Sequence, residues 1–166
     1  YDNTGYSMLQ LADPNNQRVF FDTYTKEKLE PLNKDLVQEA FMTINTVPAH
    51  PTLKTGVWGE LEQYVRQILV KEPTLMVTTG IIYENKKSLG NIGEIKIAIP
   101  THFFKLITTP HKHGSVAFII PNKEILHINN KKVINPKTAI SCEGGPCNIN
   151  NFIVSVRFID FVLPVL

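Results

Sequence analysis

Four side chains between positions 50 and 66 could act together: His50, Lys54, Glu62 and Arg66. Glu62 and Arg66 are four residues apart, so on a helix they share a face. Lys54 stands eight residues before Glu62. A carboxylate between two cations has two readings. The plain one is an amphipathic helix with a surface ion pair, Glu62 joined to Lys54 or Arg66; exposed pairs of that kind contribute little stability. The chemical one is a catalytic helix whose cluster once held a metal. His50 lies beside the helix start and is the residue type best suited to act as a base near neutral pH. A histidine among loop prolines more often faces solvent.

The other candidates are sparser. His102 sits in an apolar strand and reads as a packing or hydrogen-bonding residue; His111 and His113 flank a lysine in a turn and read as surface. Cys142 and Cys147 enclose Glu-Gly-Gly-Pro, a turn that could bring the two thiols together. A small local disulfide fits a secreted protein. Reduced thiols in a loop, or a zinc site shared with His111 and His113, are the alternatives, and the spacing is a weak zinc signal.

The elements that must position these groups are legible in part. Val57, Trp58, Leu61, Tyr64, Val65, Ile68 and Leu69 recur at helical spacing, with Lys54, Glu62 and Arg66 read as lying off the stripe. Trp58 and Tyr64 read as core. Residues 75–80, 94–100, 101–109 and 115–121 read as strands, the last two as a hairpin. Residues 41–45 read as a strand feeding the helix, 35–41 as a short helix, 19–21 as a short strand, and 152–163 as a closing strand. The expected architecture is α+β: a central antiparallel sheet with one main helix across it, in a single domain over 1–166.

Composition narrows the class. With 166 residues, 43% of them hydrophobic, the chain can build a real core. No uninterrupted apolar run reaches membrane-spanning length, so no membrane partner is expected. The net charge is +2, but residues 1–70 carry six Lys/Arg against nine Asp/Glu, and residues 71–166 eleven against six. A basic second half could meet phosphate, although most such imbalances are solvated surface. Residue 1 reads neither as a translation start nor as part of a signal peptide.

Several motifs in order carry a resemblance. Asn45-Thr-Val-Pro48 is followed by Lys54, Trp58, Leu61, Glu62 and Arg66, then by VTTGIIY (77–83), IPTHFFKLI (99–107) and FIIPN (118–122). This series resembles the DNA/RNA non-specific endonucleases, the ββα-metal nucleases that include endonuclease G, most clearly over residues 40–122. The resemblance implies a ββα-metal fold, with a lack of its N-terminal strands as an open expectation, and metal-assisted phosphodiester hydrolysis. In that chemistry a histidine ending an Asp-Arg-Gly-His motif activates water. A Mg²⁺ held by a helix asparagine stabilises the phosphorane and the leaving oxygen.

Against that pattern the chain departs at both essential positions. The asparagine's place, eight residues before the helix glutamate, is Lys54, and an ammonium cannot ligate Mg²⁺. Ala49 replaces the usual glutamine. The histidine belongs upstream, in the sheet before the helix, where residues 21–25 or Thr4-Gly5-Tyr6 are the candidates; neither offers an imidazole. Asn45, Lys54, Glu62 and Arg66 are therefore expected as a degenerate site, with no catalytic residue, no metal and no cofactor, and with Lys54 and Arg66 available to nucleic acid. The leading expectation is an inactive, nuclease-like protein that binds DNA, RNA or another protein chain. One alternative is an active Mg²⁺-dependent nuclease with a rewired site using His50, or one completed by a segment ahead of Tyr1. The other is a secreted structural or interaction protein that reuses the scaffold.

Overall fold

The structure is a computed structural model that describes residues 4–16, 19, 42–72, 74–110, 114–125 and 147–154. Strand β1 (Ser7–Gln10) pairs antiparallel with β2 (Thr46–Ala49), bringing Gln10 opposite Thr46 and Ser7 opposite Ala49. Helix α1 (Pro51–Thr55) follows at once, then α2 (Val57–Leu69). The main sheet runs β3 (Met76–Ile82), β6 (His102–Thr109), β7 (Gly114–Pro121), β8 (Ile153–Val154), each antiparallel to its neighbour. Between β3 and β6 lies a small hairpin of β4 (Asn91–Ile92) and β5 (Ile97–Ala98).

Alternation along β6 and β7 explains the layering. Phe103, Ile107, Phe118 and Ile120 point to one face and meet Val57, Trp58, Leu61 and Val65 of α2 in the main core. Trp58 packs edge-on against Phe103, with ring centroids 5.5 Å apart. Phe104 and Ala117 lie on the other face with Leu106, Ile119 and Val154. Gly80 in β3 permits this packing: a Cβ there would sit 2.4 Å from the Phe104 ring. The α+β class, with an antiparallel sheet and one main helix, is as expected.

Local expectations differ in instructive ways. The helical stretch is broken at Gly56, which caps α1 and precedes α2 in a non-helical conformation. The expected strand over 41–45 begins later: Thr43–Asn45 is a 3-10 turn, and pairing starts at Thr46. The reason is Asn45, whose carboxamide grips the Ala12 backbone from both sides, donating 3.0 Å to its carbonyl and accepting 2.8 Å from its N–H. Of the strand expected over 94–100, only Ile97–Ala98 is strand. Of the strand expected at 19–21 only Val19 is described, and it is helical; the expected helix at 35–41, most of the closing strand, Cys142, His111 and His113 lie outside the described residues.

Candidate functional site

The chemistry-bearing residues converge on a cleft of about 250 Å³ between β1, the turn after it, and the paired helices. Gln10, Asp13, Asn15, Lys54, Trp58, Gly59, Glu62 and Arg66 line it. Helix α1 begins with Pro51 at its first turn, where a missing N–H costs nothing. The break at Gly56 then folds α2 back so that Gly59 lies against the Lys54 carbonyl. A Cβ at Gly59 would stand 2.8 Å from that oxygen, so glycine is what lets Lys54 sit beside the cleft.

Glu62 is placed differently from the expectation. It is buried, 6% exposed, and its partner is neither Lys54 nor Arg66. One carboxylate oxygen accepts 2.7 Å from Lys105 Nζ and the other 2.7 Å from Asn16 Nδ2. Glu62 follows Trp58 by four residues and precedes Val65 by three, so it belongs to the buried stripe. Lys105 is 1% exposed, donates a second bond to Thr79 Oγ1 at 2.9 Å, and lies 4.9 Å from the centre of the Trp58 ring. A lysine at the inward-facing position between Phe103 and Ile107 was the sequence signal for this pair.

Arg66 also has an unexpected partner. Its Nη1 donates 2.7 Å to Asp13 Oδ2 and lies 3.5 Å from Asn16 Oδ1. Asp13 Oδ1 accepts from the Asn15 N–H at 2.9 Å. Asn16 thus bridges the two ion pairs. Lys54 stands apart: it is exposed, and its ammonium meets the Met8 carbonyl at 3.5 Å, too long to hold it firmly. Asn45 does not line the cleft; its amide serves the Ala12 junction.

Of the two stretches proposed for the missing base, Thr4-Gly5-Tyr6 does not line the cleft. Residues 21–25 are outside the described residues, and Tyr6 precedes β1, its N–H bonded to Thr4. Strand β1, paired with the β2 that leads into the helices, contributes Leu9 and Gln10 to the cleft, and Gln10 is the polar one. Its amide can donate and accept hydrogen bonds but cannot take a proton from water near neutral pH. Gln10, Asp13, Asn16, Thr79 and Lys105 were all missed in the sequence. The Ser-Met-Leu-Gln segment carries little strand signal, and only its pairing with β2 makes it one.

His50 is neither a base in the cleft nor a solvent-facing loop residue. It caps α1: its Nδ1 accepts from the Thr52 N–H at 3.4 Å and sits 2.9 Å from Thr52 Oγ1. Its own N–H donates 2.7 Å to the buried Asn122. Burial lowers its pKa, with Glu124 opposing. His102 behaves as expected, hydrogen-bonding Thr101 Oγ1 at 3.1 Å, and burial lowers its pKa too, with Glu84 opposing and Lys123 adding to the shift. For both, the folded state disfavours the protonated form. Stability should therefore be undiminished above the ordinary value of 6.5 and should fall as pH drops through it. Denaturant midpoints measured from pH 8 to pH 5 check this, and H50N together with H102N should flatten the decline.

The donor set can be tested against Mg²⁺. That ion needs anionic oxygens with room for water. Both oxygens of Glu62 and both of Asp13 are already engaged by protein donors, and Lys54 adds an ammonium to the same cleft. Three cations, counting Lys105 beneath the floor, face two carboxylates. These residues do not fit a divalent metal; they suit an anion.

A helix laid on an antiparallel sheet, with a polar cleft along the helix, is the arrangement expected of a ββα-metal nuclease fold. Residues 30–159 match the model of the DNA/RNA non-specific endonuclease family, and the chain belongs to that family. It is 29% identical over 137 residues to the mitochondrial nuclease EXOG of Danio rerio, covering 72% of this chain and 40% of that protein. It is 31% identical over 108 residues to a salivary endonuclease of Lutzomyia longipalpis, covering 61% of this chain and 25% of that one. Human mitochondrial endonuclease G is 25% identical over 100 residues, 54% of this chain and 34% of that protein. The chain therefore spans well under half the length of these curated relatives. In fold it is similar to a chain of the crystal structure of the EndoG/EndoGI complex, with a TM-score of 0.65 at 23% identity, over all of this chain and 60% of that one. Among the described residues no helix is long and apolar enough to cross a membrane.

Proposed function

We propose that this protein is a catalytically degenerate member of its family, a single nuclease-like domain over 1–166 that binds nucleic acid without hydrolysing it and needs no metal cofactor. The observation that carries this reading is the pairing of Gln10 with Lys54 in one cleft. Hydrolysis by the family route needs a base that can take a proton from water and an oxygen ligand for Mg²⁺. An amide and an ammonium supply neither. What the cleft keeps is hydrogen-bond donors and positive charge, enough to hold a phosphodiester.

The expected test result is simple. Purified protein incubated with supercoiled plasmid, or with RNA, in Mg²⁺ or Mn²⁺ should leave both intact at the level of an EDTA control. Clear metal-dependent digestion would overturn the proposal.

Secretion and a Cys142–Cys147 disulfide belong to the same reading. Cys147 is 1% exposed and is not a free thiol, and Ile149 beyond it is anchored through its N–H to Glu60 at 3.1 Å.

A further inference from the structure

We infer that Lys54 takes over the charge that a divalent cation would have supplied, so that the cleft holds a phosphodiester group of nucleic acid in the absence of any metal. The inference rests on the reading of the site as degenerate. It goes further by naming the group that replaces the ion and by making the binding independent of metal through that group.

Three observations carry it. First, Lys54 stands eight residues before Glu62, and its side chain lines the same cleft as Glu62 and Arg66. Its backbone is held there by the close approach of Gly59, while its ammonium is exposed and meets one carbonyl at a long 3.5 Å. The charge is fixed in place at its root but uncommitted at its tip.

Second, the carboxylates that would repel a phosphate are already neutralised. Glu62 is held by Lys105 and Asn16, and Asp13 by Arg66 and the Asn15 N–H. The cleft therefore presents excess positive charge although two acids line it.

Third, further donors face the same space. Gln10 and Asn15 line the cleft, and among the described residues only Nη1 of Arg66 is engaged. An ammonium, a partly used guanidinium and amide N–H groups around a cleft of about 250 Å³ match the needs of a phosphate anion.

Fluorescence anisotropy with a labelled single-stranded DNA of about 12 nucleotides tests this, at matched ionic strength in EDTA and in Mg²⁺. Wild-type Kd should agree within about twofold between the two buffers. Lys54→Met should weaken binding about tenfold, the loss of one charge-assisted contact, and should lower the slope of log Kd against log salt by about 0.7. Lys87→Met, an exposed lysine away from the cleft, should change Kd by less than about twofold, because a single surface charge contributes little. Binding that requires Mg²⁺, no binding in EDTA, an unaffected Lys54→Met variant, or an equal loss in Lys87→Met would each overturn the inference. Cleavage of the DNA in the Mg²⁺ arm would count against the proposed loss of hydrolysis instead, and the EDTA arm would still decide the role of Lys54.

Discussion

Lys105→Met should cost about 3–5 kcal/mol of stability, because it strands a buried carboxylate. That is a large share of the roughly 5–15 kcal/mol that holds an ordinary domain together. Lys105 is 1% exposed, and Glu62 has one strong cationic partner. With the ammonium gone, Glu62 keeps only the Asn16 amide and must either stay charged without a counter-ion or take up a proton. Thr79 loses its donor and Trp58 the cation beside its ring. Urea unfolding of the single variants and of a Glu62→Met/Lys105→Met double variant measures the coupling. The double variant should be far more stable than the sum of the single losses, since an apolar pair of similar volume can replace a buried ion pair. Additive losses would mean that the two charges do not depend on one another.

Asn122→Ala should cost about 3 kcal/mol, at about 1 kcal/mol or more for each buried hydrogen bond removed. The side chain is 2% exposed. Its Nδ2 donates to the Pro48 carbonyl at 3.1 Å and to the Pro100 carbonyl at 2.9 Å, and its Oδ1 accepts from the His50 N–H at 2.7 Å. One amide thus ties the end of β2, the start of α1 and the approach to β6 at the end of β7. Truncation leaves two buried carbonyls, those of Pro48 and Pro100, without this donor. Thermal unfolding checks the size of the effect. Asn122→Asp should be worse than Ala, because it removes both donated bonds and buries a charge.

How much was legible in the sequence follows from what each residue depends on. Strands β3, β6 and β7 could be read because β-branched and aromatic residues alternate there, and the sheet's two faces repeat that alternation. The stripe of α2 was legible for the same reason. Glu62 was misplaced because charge was taken as a sign of exposure, although its spacing from Trp58 and Val65 puts it inside; burial became possible only through Lys105, forty-three positions away. The break at Gly56 needed knowledge of the close contact between Gly59 and the Lys54 carbonyl. Strand β1 depends on its pairing with β2, so Gln10 could not be assigned to the cleft from local pattern alone. Lys54 was singled out in the sequence and does line the cleft, but the ion pair expected for it with Glu62 belongs to Lys105.

These partners change the meaning of the cluster. Glu62 and Arg66 do not pair with each other across a helix turn; each anchors a different piece of chain, with Asn16 between them. That arrangement rigidifies the cleft walls and leaves Lys54 and Gln10 as the side chains placed to meet a ligand.

The most direct measurement is phosphodiester cleavage with protein in excess over a labelled DNA duplex, in Mg²⁺ and Mn²⁺, for the wild type and for Glu62→Gln. The account predicts no cleavage above the EDTA control for either protein. Metal-dependent cleavage by the wild type that Glu62→Gln abolishes would contradict it, because it would place a working hydrolytic centre in this cleft.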